Sequence, residues 1–343
     1  MNYRYMGMTG LKVSELCLGT MTFGWTAGED ESRRILDHFV AGGGNFIDTA
    51  NVYSSGKSED IVGNWLSGQD RDDLVVATKA RFATGDGPNQ IGLSRKHIMK
   101  AVRESLERLK TDYIDLYQVH AWDPATQVEE TLRALSDLVD EGIVMYTGAS
   151  NFRGWQLQKA IDVSRELGFV QFSCLQPQYS LLCRATELEL LPVCINEGLG
   201  VIPWSPLRGG WLSGKYTREM SEPPAETRLG DSLKGGNRER WDAFNNEKTW
   251  SLLEELKSVA QRSGRTVAQV ALNWILCRRG ITAPIIGARS VAQLEENMGA
   301  SGWRLGNEEV KSLDEISRMD ITYPYDSFAE LQQKRGREDY IPS

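Results

Sequence analysis

The sequence predicts an α/β chain folded as a (β/α)8 TIM barrel, with a hairpin capping its N-terminal mouth and a long loop after the seventh barrel strand. Three observations predict it. Short apolar runs of β type alternate with amphipathic runs of helical period along the 343 residues, and such alternation implies a parallel sheet. The strand-like runs number eight, which favours a closed barrel over an open sheet. Asp48, Tyr53, Lys79 and His120 follow successive strand-like runs, and in a parallel barrel all strand C-termini open onto one face. No composition shift marks an internal boundary, so residues 1–343 are expected to form a single barrel domain.

In chain order, residues 3–13 read as a small hairpin with its turn near Thr9 and Gly10. A strand at 15–18 precedes a helix at 30–41, where Ile35, Phe39 and Val40 make the apolar stripe and Gly42 to Gly44 end it. The next strand starts at Phe46 and delivers Asp48. Residues 58–66 form a short helix with Ser58 as its expected N-cap. After the strand ending at Lys79, Ser94 caps a helix with Ile98, Val102, Leu106 and Leu109 on one face. The strand ending at His120 leads to a helix at 128–138, which Gly142 closes. Strands at 143–149, 172–175 and 200–204 alternate with helices at 155–167 and 186–195. Residues 208–245 carry glycine, proline and charge without periodicity, and a connection of that length is expected to be a lid. Helices at 248–261 and 266–277, a strand at 283–286 and helices at 291–298 and 308–316 complete the chain.

The formal net charge of -8 argues against general binding to nucleic acid or anionic membrane, so an anionic ligand needs a local cluster of donors. Cys17, Cys174, Cys183, Cys194 and Cys277 are odd in number and form no CxxC pair, which reads as reduced thiols. Residues 1–7 have no apolar signal region, and no run of eighteen apolar residues occurs. The expected location is the cytoplasm. His38 and His97 have no partner at ligand spacing, so no metal site is expected.

Tyrosine, with a reference pKa of about 10, is a reluctant acid unless its surroundings help. A Lys79 ammonium beside Tyr53 stabilises the phenolate, Asp48 keeps that lysine charged, and His120 can orient a substrate oxygen. Donating a proton to an oxygen that gains charge is what carbonyl reduction needs. Each residue alone could be an ordinary strand-end polar group; the convergence of four is what points to chemistry.

The pattern Gly44-Asn-Phe-Ile-Asp48-Thr-Ala-x-x-Tyr53, the strand-end Lys79, and His120 after Asp115-Leu-Tyr-Gln-Val resemble the aldo-keto reductase superfamily over nearly the whole chain. The resemblance implies a (β/α)8 barrel, NADPH/NADP+ bound extended without a Rossmann fold, and Tyr53 as general acid. Trp204 is placed to stack on the nicotinamide where many members carry tyrosine. Ser150, Asn151 and Gln176 resemble the carboxamide-binding residues, and Gly19, Thr20 and Met21 are expected beside the nicotinamide ribose. Residues 209–215 nearly spell a P-loop, but Tyr216 replaces the Ser/Thr that holds Mg²⁺, and Pro223 and Pro224 follow where a helix should run. The segment resembles the loop over the cofactor pyrophosphate, with Ser205, Leu207, Gly209, Gly210, Lys215 and Arg228 as candidates. Gly287 and Arg289, ahead of the helix capped by Ser290 and bearing Gln293, Glu296 and Asn297, match the adenosine 2′-phosphate pocket.

Trp25, Tyr53, His120, Trp122 and Tyr179 are the candidate substrate wall, and the expected partner is a small carbonyl or alcohol. Two other readings share the barrel and cofactor: a regulatory partner resembling potassium-channel β-subunits, and a ketoreductase of sugar or secondary-metabolite pathways.

Overall fold

The computed structural model describes residues 1–227, 229–231 and 241–326. Strands β1 (Tyr3–Tyr5) and β2 (Lys12–Ser14) pair antiparallel, closed by the Met6 amide donating to the Leu11 carbonyl at 2.9 Å. Strands β3 (Cys17–Gly19), β4 (Phe46–Asp48), β5 (Val75–Ala80), β6 (Ile114–Val119), β7 (Val144–Ser150), β8 (Phe172–Gln176), β9 (Gly200–Val201) and β10 (Ile285–Gly287) form one parallel sheet in the order β10-β3-β4-β5-β6-β7-β8-β9. Its two ends meet: the Thr282 amide donates to Val201 O and the Ile285 amide to Pro203 O, both at 2.8 Å. The eight strands thus close on themselves as the alternation predicted.

Strand side chains alternate at period two. Phe46, Val75, Ala77, Leu116, Cys174 and Ile285 pack inside the barrel, while Ile47, Val76, Tyr117, Val119 and Leu175 face the surrounding helices. The hairpin plugs the lower end with fully buried Met6 and Val13 in the same interior cluster. Arg4 fastens it by donating to the carbonyls of Ile281 and Leu276.

The α-helices with both ends among the described residues are α1 (Glu29–Ala41), α2 (Lys57–Leu66), α3 (Arg95–Leu109), α4 (Val128–Asp140), α5 (Gly154–Leu167), α6 (Leu190–Glu197), α7 (Glu247–Ser263), α8 (Val267–Leu276), α9 (Val291–Met298) and α10 (Asn307–Ile316). Ser94 and Ser290 cap α3 and α9 as expected, accepting from His97 N at 3.3 Å and Gln293 N at 3.4 Å.

Several expectations need correction. Ser58 lies inside α2, not at its cap; its hydroxyl donates to Thr20 O at 2.9 Å and pairs with the Thr20 and Thr49 hydroxyls. The first barrel strand begins after Glu15, whose buried carboxylate is taken by Arg304, Arg4 and Ser301 at the foot of the barrel. The helix expected at 186–195 divides into a 3-10 turn at Ala185–Glu187 and α6, in which Pro192 lies within the first turn, where a missing N–H costs least. In the stretch 208–245, the described ends are packed down: Trp211, Leu212, Tyr216 and Trp241 are all buried. Trp211 stacks on Trp241 at 4.5 Å and meets Tyr216 and Trp250 edge-on at 5.1 and 5.4 Å.

Candidate active site

Period two brings the polar ends of β4, β5, β6 and β8 into one layer at the top of the barrel. Lys79 is fully buried there, and its Nζ donates to Asp48 Oδ2 (2.6 Å), the Thr49 carbonyl (2.6 Å) and the Tyr53 hydroxyl (3.3 Å). The other Asp48 oxygen accepts from Gln118 Nε2 at 3.2 Å and Gln176 Nε2 at 2.9 Å. Burial alone would lower the Lys79 pKa, but the Asp48 carboxylate and Tyr53 outweigh it and the pKa is raised. The ammonium is therefore a permanent charge touching the Tyr53 oxygen.

His120 sits across from Tyr53 with ring centroids 5.9 Å apart. Burial, reinforced by the nearby Lys79 charge, holds its pKa well below the usual histidine range, so the imidazole is neutral at physiological pH. Of the two rings, the phenol is the one in contact with the ammonium; the neutral imidazole can offer or accept a hydrogen bond.

Asn151, at the end of β7 in the left-handed region (φ 55), joins three strand ends. Its amide nitrogen donates to the His120 carbonyl at 2.9 Å and Ser150 Oγ at 3.0 Å, and its oxygen accepts from Trp204 Nε1 at 3.1 Å. The half-buried Trp204 is held at the wall of the cleft.

A cavity of about 460 Å³ runs from Tyr53 and His120, past Trp204, beside Ser205 to Gly210, and ends at Arg289, Gln293 and Asn297. Gly19, Met21, Asp48, Asn151, Gln176, Lys215, Gly287 and Glu296 also line it. Arg208 lines it as well, with a buried Nε that has no acceptor among the described residues. An extended ligand with a flat ring at the Tyr53 end and anionic groups further along fits this shape and these donors. Among the described residues no group of three His, Cys, Asp or Glu is placed to hold a metal, and no helix is long and apolar enough to cross a membrane.

Other expected residues lie elsewhere. Thr20 is fully buried behind the cavity, donating to Asp48 O at 3.0 Å; Thr22 lines the cavity instead. Ser150 is buried, and its hydroxyl donates to Gln176 O at 2.9 Å. Tyr179 is fully buried with its hydroxyl on Glu187 at 2.6 Å and its ring 5.5 Å from Trp274, so it offers no wall to a substrate. Trp122 packs on Phe152 and Trp155, and Trp25 stands 47% exposed; neither lines the cavity. Arg228 lies outside the described residues. The sequence reading missed Phe82, whose ring meets His120 at 4.7 Å. It also missed Gln118, although that residue stands two before His120 and so faces inward with it.

The sequence pattern of the Aldo/keto reductase family matches residues 15–318. Oxidoreductase YrpG of Bacillus subtilis is 40% identical over 326 residues, covering 92% of this chain and 96% of that protein. Norsolorinic acid reductase of Aspergillus flavus is 37% identical, covering 92% of this chain and 80% of its own. A probable voltage-gated potassium channel subunit beta of Arabidopsis thaliana is 36% identical, over 88% and 91% of the two chains. With its closed parallel barrel and these identities, the chain belongs to the aldo/keto reductase family of oxidoreductases.

Proposed function

We propose that the protein reduces an aldehyde or ketone with NADPH, and oxidises the corresponding alcohol in reverse, with Tyr53 as the general acid and base. The observation that carries this is the Tyr53 hydroxyl within 3.3 Å of an ammonium that Asp48 keeps charged. When bound, the nicotinamide supplies a hydride to the carbonyl carbon. Tyr53 then gives its proton to the oxygen as negative charge gathers there, and Lys79 stabilises the phenolate left behind. The neutral His120 donates a hydrogen bond that orients the carbonyl. Trp204 offers a flat face to the nicotinamide, with Asn151 and Gln176 near its carboxamide. Ser205 to Gly210 and Lys215 would hold the pyrophosphate and Arg289 the adenosine end, a reading supported by their all lining one cavity.

Tyr53→Phe tests the reading. The variant should lose roughly 10²–10⁴-fold in turnover of a carbonyl panel, while NADPH still quenches tryptophan fluorescence with near-normal affinity. Near-normal reduction of a good aldehyde by the variant would remove Tyr53 from the mechanism. The kinship with a channel β-subunit supports a second reading, a cofactor-binding regulatory partner. Efficient wild-type turnover favours the enzyme; tight NADPH binding with negligible turnover across the panel favours the partner.

A further inference from the structure

The donors at the adenosine end of the cavity are already engaged. Arg289 Nη1 meets the Asp231 carboxylate at 2.7 Å, and Nη2 donates to the Glu226 carbonyl at 2.8 Å. The pair is well shielded, its side chains 19% and 26% exposed. The first amide of α9, Val291 N, donates to one oxygen of the Glu31 carboxylate at 3.0 Å, while the other oxygen is paired with Arg34, which answers part of its charge. The Arg289 amide is taken by Gln293 Oε1 at 3.0 Å, and the Gln293 amide by Ser290 Oγ. A guanidinium and a helix N-terminus suited to a dianionic phosphate therefore face two carboxylates of the chain itself.

A 2′-phosphate arriving there reaches Arg289 either by displacing Asp231 or by sitting beside it. Displacement forfeits an existing charged pair, and cohabitation sets like charges a few ångströms apart. An unphosphorylated ribose meets no such conflict, because its 2′-hydroxyl can donate to a carboxylate, as it does to the acidic residue of NAD-selective dinucleotide sites. We propose that Asp231, seconded by Glu31, is a cofactor-selectivity determinant. As an internal anion it offsets the preference for the 2′-phosphate, and the protein binds NADH within about tenfold of NADPH. The inference rests on the nicotinamide reading above and concerns only how the adenosine end discriminates.

The test is a set of dissociation constants for NADPH and NADH, from fluorescence quenching or calorimetry, on five proteins: wild type, Asp231→Asn, Asp231→Ser, Glu31→Gln, and Asp231→Asn combined with Arg289→Ala. Asp231→Asn should tighten NADPH about tenfold, equivalent to roughly 1.4 kcal/mol, and leave NADH unchanged or slightly weaker. Glu31→Gln keeps an acceptor for the Val291 amide while losing its charge, so a smaller gain of the same sign is expected. Adding Arg289→Ala should erase the gain, since the freed guanidinium is its source. Asp231→Ser should repeat the Asp231→Asn result and guards against a misfolded variant. A wild type preferring NADPH by clearly more than about tenfold, a weaker NADPH complex in Asp231→Asn, or equal changes for both cofactors would overturn the proposal. Failure of wild type to bind either cofactor would instead overturn the nicotinamide reading and this inference with it.

Discussion

At the scale of single residues, the site is organised around one carboxylate. Asp48 gives one oxygen to Lys79 and the other to the amides of Gln118 and Gln176, so a fully buried ion pair has every charge answered. His120 is held differently, neutral by burial, and that has a consequence for stability. Above about pH 6.5, the ordinary histidine value, the ring is neutral in both folded and unfolded chains and exerts no pH dependence. Below it the unfolded chain takes up a proton that the native ring refuses, so stability falls with pH until the lowered native value is reached. The slope is at most about 1.4 kcal/mol per pH unit. His97 is lowered too, chiefly by burial, and adds its own share. Urea melts at pH 7.5 and 5.0 should therefore show wild type losing about 1–2 kcal/mol more than His120→Gln. Equal losses would mean that His120 titrates normally in the native state. The inward residues of this site were legible because alternation fixes their side; Gln118 could have been found by counting back two from His120.

At the scale of elements, helices and strands were legible through their periods, and the connections were not. Residues 208–213 form a 3-10 stretch interrupted at Gly209 (φ 65) and Gly210 (φ 95), a geometry without an apolar repeat. The tryptophans that pin it come from separate places, Trp211, Trp241 and Trp250, and only the fold brings them together. The expected mobile lid is thus anchored at both described ends. Trp211→Ala should lower stability by about 3–5 kcal/mol, as for other large buried aromatics. Trp211→Phe should cost clearly less, because it keeps the ring packing and removes a buried indole N–H that has no acceptor among the described residues. Denaturant midpoints of both variants check this, and equal costs would place the energy in the indole nitrogen. The same distance problem hid Tyr179: a residue after β8 is as able to turn toward α8 as toward the cavity, and the partner that decided, Glu187, gives no local signal.

At the scale of the whole molecule, the two ends of the barrel are built differently: one opens onto the cavity and the other is plugged. The lower end is closed by the hairpin, with Met6 and Val13 fully buried against the interior. Its presence was legible from the Thr9 and Gly10 turn, but its insertion was not, because Met6 belongs to no strand. Met6→Ala should cost about 2–5 kcal/mol in urea unfolding and leave turnover and cofactor affinity unchanged under folding conditions. A change in kcat without a change in melting would show the two ends to be coupled.

Asn151 sets a different kind of limit. One amide fastens the indole of Trp204 on one side and the backbone of His120 on the other. If those two residues serve cofactor and carbonyl respectively, the cradles of both reactants share a single mortise. Any substitution there would move the two grips together, so selection for a bulkier carbonyl could not reshape this corner without also loosening the coenzyme. Room for new substrates would have to come from side chains outside this joint, such as the exposed Trp25; Phe82 is a poorer choice, since its ring rests on His120.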